Sequence, residues 1–212
     1  MRVNVYVDGF NLYYGAVKGT PYKWLHLGKL CRLLRPKDRI NRIRYFTADV
    51  KPRPNDPQAD IRQQTYLRAL KTIPNLMIHK GRFLSNETWM RLARPIESAG
   101  GETLTRALVI KTEEKGSDVN LASWLLIDGF GRDFQSALVI SNDSDLVEPI
   151  RFVRQRLNRP CYVIHPHGTE VRTLRRAATT YLQLDADILA ECQFAPTLTD
   201  SAGRTITKPT AW

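Results

Sequence analysis

Ala137-Leu138-Val139-Ile140 places four small or apolar residues in a row. Ser141-Asn142-Asp143-Ser144-Asp145 follows at once, and then Leu146, Val147, Ile150, Val153 and Leu157 recur at helical spacing. The uninterrupted apolar run reads as a short buried strand, and the spacing after it as a helix. A strand of this kind belongs inside a parallel sheet covered by helices. In open α/β sheets the working site lies just past the carboxyl ends of the strands. Asp143 and Asp145 therefore stand where such a fold does its chemistry. Pro149 falls in the first turns of the helix and removes a backbone donor there. The expectation is a helix that starts near Asp145 with an irregular first turn.

Other segments share this alternation. Val3 to Val7 reads as a strand that runs into Asp8-Gly9-Phe10-Asn11-Leu12, with Gly9 permitting the turn and Asn11 opening a helix. His26 to Leu34 has a helical apolar face, Ile40 to Thr47 reads as a strand, and Gln58 to Lys71 as a helix. Between the last two, the proline-rich segment Asp49 to Pro57 reads as a surface loop. Leu76 to His79 is a third strand. Residues 83–110 read as a hairpin-like excursion, with strands at Arg91–Arg94 and Thr105–Ile110 around the turn-rich Glu97 to Gly101. Ser117 or Asp118 is expected to cap a strongly apolar helix that ends at Gly129 and Gly131. Pro160 to Ile164 reads as the last clear strand, and Val171 to Ala178 as a short basic helix. A C-terminal β-hairpin or tail occupies 193–212, outside a main domain of 1–192. Strands that alternate with helices predict a three-layer α/β/α protein with a mainly parallel central sheet.

Several function classes are excluded or weakened. The glycine fingerprint of dinucleotide sites is missing after the first strand, and no GxxxxGK[ST] occurs. The three cysteines are scattered and form no CxxC pair, so reduced core residues are expected rather than disulfides or zinc ligands. His165 and His167 lack partners at zinc-site spacing. No segment approaches a membrane span and no signal peptide is visible, so a cytoplasmic protein is expected. The net charge of +11 points toward a polyanionic partner, nucleic acid above all.

Asp8, Asp118, Asp143 and Asp145 all fall at strand ends or helix starts. Each alone has a sufficient role as a helix cap. If one crevice gathers them, their repulsion at neutral pH calls for a cation, and hard carboxylate oxygens suit Mg²⁺ or Mn²⁺. Such an ion activates water and neutralises phosphate charge. An acidic crevice in a basic protein is what a metal-dependent nuclease needs.

Val7-Asp8-Gly9-Phe10-Asn11-Leu12, Lys115-Gly116-Ser117-Asp118-Val119 and Ser141-Asn142-Asp143-Ser144-Asp145-Leu146 resemble, in order, the three motifs of the NYN domain family of the PIN-like nuclease superfamily. The resemblance runs from residue 3 to about residue 190. It implies a PIN-like sheet, a single Mg²⁺ or Mn²⁺ site and RNA as substrate. Carried across by motif, Asp8, Asp118, Asp143 and Asp145 are the implied metal ligands, and Asn11 orients a ligand or a water. Lys115 meets a substrate phosphate, Ser141 and Ser144 shape the loop or bond the carboxylates, and Glu114 stands just outside. Leu146 replaces the bulkier aromatic common in the family. The implied reaction is in-line hydrolysis that leaves 5′-phosphate and 3′-hydroxyl ends. A non-catalytic RNA- or protein-binding module with a vestigial metal site is the alternative.

Substrate would lie along basic groups. Arg32, Arg35, Lys37, Arg39, Arg42 and Arg44 surround the approach to the second strand. Arg151, Arg154, Arg156 and Arg159 stud the helix after Asp145, and Arg172, Arg175 and Arg176 follow the last strand. Tyr13, Tyr14 and Trp24 are candidates to stack on unpaired bases. A homodimer is compatible with the sequence, although no heptad or apolar stripe demands one.

Overall fold

The computed structural model describes residues 1–52, 54–97 and 100–212. Six strands form a parallel sheet: β1 (Arg2–Asp8), β2 (Arg39–Ala48), the first part of β3 (Leu76–Glu97), β5 (Ser136–Ile140), β6 (Cys161–His165) and β7 (Thr180–Gln183). Their spatial order is β3-β2-β1-β5-β6-β7. From Arg82 onward β3 leaves β2 and pairs antiparallel with β4 (Thr103–Lys115). The hairpin expected for 83–110 is present, but its strands are much longer than the sequence indicated. Part of the expected turn, Ser98 and Ala99, lies outside the described residues, as does Arg53 of the loop before it. The register breaks between Arg91 and Ile96.

Helices cover both faces of the sheet, which leaves two apolar layers. On one side α2 (Leu27–Leu34) and α3 (Ala59–Leu70) pack on Val3, Val5 and Val7. On the other, α4 (Ser117–Phe130), α5 (Val147–Gln155) and α6 (Arg172–Ala177) enclose Tyr6, Val139 and Val163. Strand alternation sends neighbouring residues of β1 to opposite layers, so both are filled from one strand. β5 is buried at all five positions, as its unbroken apolar run required.

Two expectations need correction, and the structure adds detail to two more. The strand at Pro160–Ile164 is not the last of the sheet: β7 extends it, and its short, mostly exposed sequence carries little apolar signal. α4 is not capped by Ser117 or Asp118. Gly116 occupies the cap with a φ of 105°, which favours glycine, and Ser117 and Asp118 are already helical. Gly9 has no left-handed backbone. Glycine is needed there because a Cβ would come within 2.6 Å of the Phe46 carbonyl oxygen and the Tyr45 ring. The C-terminal segment is no frayed appendage, because Ile206 of β9 (Thr205–Thr207) and Trp212 pack into the layer under α3. β9 pairs with β8 (Thr197–Thr199) as the expected hairpin, and α7 (Ala186–Glu191) precedes it.

The turn before α5 is irregular, as expected from Pro149. Ser144–Leu146 form a 3₁₀ turn and the α-helix starts at Val147. Pro149 is then the third helical residue, where the missing N–H has no intrahelical acceptor to lose. Among the described residues, no helix is long and apolar enough to cross a membrane.

Candidate active site

The strand order reverses between β1 and β5: the chain after β1 goes to one side of the sheet, and the chain after β5 to the other. At such a switch point the loops part and leave a crevice at the carboxyl ends. β1 ends in Asp8, and β5 ends one residue before Ser141. The sheet therefore puts the first and third motifs side by side although they lie far apart in the chain.

Hydrogen bonds fix the pair. Asp8 is nearly buried, and its carboxylate accepts from the Asn11 backbone N–H at 2.9 Å and the Ser141 hydroxyl at 3.0 Å. Ser141 Oγ in turn accepts from the Asp143 N–H at 3.1 Å. Asn11 Oδ1 accepts from the Asn142 N–H at 2.9 Å, which ties the turn after β1 to the loop after β5. Asp143 caps the 3₁₀ turn by accepting from the Asp145 N–H at 3.0 Å. The Asn142 side chain takes a hydrogen bond from Tyr181 at 2.6 Å and donates to the Thr169 carbonyl at 2.9 Å.

The second motif arrives from the ribbon. Glu114 Oε1 accepts from the N–H and the hydroxyl of Ser117, at 3.1 and 2.8 Å, and so caps the start of α4. Asp118, one residue on, is half-buried. Burial first, and then the charges of Asp8, Asp143, Glu114 and Asp145, push its carboxyl up to about 6. The neighbours that act on it most strongly are thus all carboxylates. Burial also raises Asp8, against the bonds from Asn11 and Ser141, and Asp143 adds to the rise. The fold gathers all four predicted aspartates, with Glu114 as a fifth acid.

The donor set suits a hard divalent cation, and the mutual repulsion is what such a charge relieves. Among the described residues, no three His, Cys, Asp or Glu side chains stand together closely enough to hold a metal outright. Mg²⁺ keeps several waters and takes one or two carboxylates directly, so this set fits it without a closed protein cage.

The other predicted residues are distributed unevenly. Ser141 is fully buried and acts on Asp8, so it is no substrate contact, while Ser144 is exposed. Lys115 pairs with Glu113 at 3.0 Å. Arg151 pairs with Glu148, and Arg175 with Glu170 at 3.0 Å, both exposed at the surface. Arg176 is exposed. Arg154 is committed elsewhere: its guanidinium donates to the carbonyls of Arg176, Ala177 and Ala178 at 2.9, 3.0 and 2.7 Å, satisfying the end of α6. Trp24 is fully buried with its indole N–H on the Ala195 carbonyl, and so cannot stack on a base.

Sequence reasoning missed two features. Arg44 is no substrate contact but a buried partner of Asp128, which it grips through two bonds of 2.7 Å. No spacing rule links residues so far apart. The second is a cavity of about 620 Å³ beside Gly9, lined by Tyr13, Tyr14, Tyr45, Tyr66 and Trp212, with Lys18, Lys23 and Lys51 among its cations. Tyr13 and Tyr14 are close in sequence, but that they line one cavity with the C-terminal Trp212 is a tertiary event.

A mainly parallel seven-stranded sheet with helices on both faces defines a mixed α/β fold. The NYN domain profile matches residues 2–185, and the chain belongs to the NYN domain family. The whole chain aligns with 75% of a Pseudomonas putida protein, named 6-hydroxy-3-succinoylpyridine 3-monooxygenase, at 27% identity. Among solved structures, a Vibrio parahaemolyticus protein of unknown function shares the fold. Its TM-score is 0.54 and its identity 16%, over 88% of this chain and 94% of that one.

Proposed function

We propose that this protein is a Mg²⁺- or Mn²⁺-dependent nuclease that hydrolyses RNA phosphodiesters. The observation that carries the reading is the convergence of Asp8, Asp118, Asp143 and Asp145 at the switch point, where burial first and then the charges of the neighbouring acids push Asp118 up to about 6. These four residues would hold the ion, one or two of them directly and the others through its waters. When bound, it supplies charge neutralisation at the phosphate and a lowered pKa for water. The chain's own groups do the rest. Ser141 and the Asn11 N–H orient the Asp8 carboxylate, Asn11 Oδ1 locks the loop that carries Asp143, and Glu114 fixes the turn before Asp118. The surface excess of arginine and lysine attracts the phosphate backbone. Water attack in line with the departing 3′-oxygen leaves 5′-phosphate and 3′-hydroxyl ends.

The test is end-labelled single-stranded RNA with Mn²⁺, with and without EDTA, beside Asp143→Asn. Cleavage stopped by both changes supports the reading. Binding without cleavage, across several RNAs and metals, refutes it and favours the binding module. Cyclic-phosphate ends refute the mechanism.

The ring-lined cavity favours a second reading. A relative named for a pyridine carrying a succinoyl acid acts on a flat ring with a carboxylate. Tyrosine faces with Lys18, Lys23 and Lys51 suit that chemistry. Tight calorimetric binding of such an acid, with no nuclease activity, would favour it.

A further inference from the structure

The ribbon formed by β3 and β4 beyond Gly81 stands away from the sheet, and most of its residues are exposed. A two-stranded ribbon is marginal alone in water. Directly paired residues share a face, as do residues two apart. From root to far end, one face carries the pairs Phe83–Glu114, Ser85–Thr112, Glu87–Ile110, Trp89–Leu108 and Arg91–Arg106. On its opposite face Glu113 pairs with Lys111 and Lys115 near the root, and the pairs Thr88–Val109 and Met90–Ala107 follow farther out.

The first face is built differently. Phe83 roots it against the Phe10 ring at 5.6 Å. Farther out, Trp89, Leu108 and Ile110 are 59%, 51% and 74% exposed. Together they leave on the order of 400 Å² of apolar side chain in one patch, within the range of the largest and often functional patches on a protein surface. Beyond them Arg91 and Arg106 lie opposite each other, an arrangement that destabilises a ribbon unless something negative meets it.

We propose that this face pairs with the same face of a second copy of the chain, about a two-fold axis through the Trp89–Leu108 pair. Such an axis makes the contact isologous. Trp89 and Leu108 then meet their own counterparts. One row away, about 7 Å along the strands, Arg91 and Arg106 of each copy lie over Glu87 and Ile110 of the other. The acid–apolar–base order along the face is therefore complementary to itself when reversed. Charge favours this occupant over a nucleic acid. Between Arg82 and Lys115 the chain carries six basic and five acidic residues, near neutrality in a protein of +11. The ribbon is thus a segment where two such proteins meet without strong repulsion, and an aliphatic side chain, Leu108, lies directly opposite Trp89. The patch supplies roughly half of the 800 Å² per partner of a standard interface, so a micromolar dimer is expected.

Sedimentation velocity of the full chain, from nanomolar to high micromolar, tests this. We expect a concentration-dependent dimer. Trp89→Arg with Leu108→Arg should weaken it about 30-fold or more with an unchanged circular dichroism spectrum, since both side chains are exposed. Glu87→Arg alone should weaken it, and the triple change Glu87→Arg, Arg91→Glu, Arg106→Glu should restore it, which a merely structural role for these residues would not do. A monomer at all concentrations overturns the proposal. So does a dimer indifferent to Trp89 and Leu108, a triple variant that fails to recover, or single-stranded RNA that quenches Trp89 on a protein that stays monomeric.

Discussion

Replacement of Asp128 by alanine tests how the site is held. α4 carries Asp118 in its first turn and Asp128 near its last, so whatever fixes Asp128 to the sheet aims Asp118. Arg44 of β2 grips both Asp128 oxygens at 2.7 Å, the Tyr6 hydroxyl donates at 2.8 Å and Asn4 Nδ2 at 3.2 Å. The Arg44 and Asp128 side chains are only 4% and 6% exposed. Asp128→Ala leaves a buried guanidinium with the His79 nitrogen and the Trp124 ring face as its remaining neighbours. Removal of one member of a buried pair costs about 3–5 kcal/mol, and the orphaned Tyr6 hydroxyl adds about 1 kcal/mol. Against a typical total of about 5–15 kcal/mol, the variant stands near the edge of folding at room temperature. Arg44→Met combined with Asp128→Leu removes both charges and should recover at least about 2 kcal/mol of that loss. Urea unfolding followed by circular dichroism measures Asp128→Ala, the double variant and its two single components. A cost below about 1 kcal/mol for Asp128→Ala, or a double variant as unstable as the sum of its parts, would refute the buried-anchor argument. In the recovered double variant, RNA cleavage should stay below wild type, because α4 has lost its directional tie to the sheet.

Gly9→Ala should lower stability by about 1–3 kcal/mol in thermal unfolding, because its methyl group meets the Phe46 backbone oxygen and cannot push it aside. An unchanged melting temperature would show that the turn after Asp8 has room to give. Arg154→Ala should cost about 1–2 kcal/mol by freeing the carbonyls at the end of α6, while KM for RNA stays unchanged. A raised KM at unchanged stability would return Arg154 to the substrate. His26 caps α2 by accepting from the Lys29 N–H at 3.3 Å, which only the neutral ring can do. Burial, followed by the charges of Lys29 and Arg32, holds it down at about 4. Its folded pKa lies below the unfolded value near 6.5, so its contribution is full above that value and is lost as pH falls toward 4. With half the ring in water, His26→Asn, which caps without titrating, should remove only about 1 kcal/mol of the acid-side loss in urea unfolding.

Much of this protein was legible in its sequence because its signals are local. The buried run Ala137–Ile140, the strand at Val3–Val7 and the helical spacing after Asp145 are set by neighbours in the chain, and the structure keeps them. Pro149 acts on its own turn, so the irregular start of α5 followed as well. The aspartates could be nominated because each lies next to its own strand or helix end. Partnership across the chain was not readable. Arg44 looked like one more surface cation until β2 set it against Asp128, and Arg154 until α5 set it beside the end of α6. Trp24 disappeared into the core for the same reason. Gly9 is glycine because a carbonyl from β2 passes close by, and not because its own backbone turns. The order β3-β2-β1-β5-β6-β7 likewise belongs to the packed sheet alone. Local backbone preference is written residue by residue, whereas desolvation, charge pairing and close approach depend on which surfaces meet. The sequence by itself therefore determined the layers and the acids at their ends, and only tertiary packing decided that the charges of those acids act on Asp118.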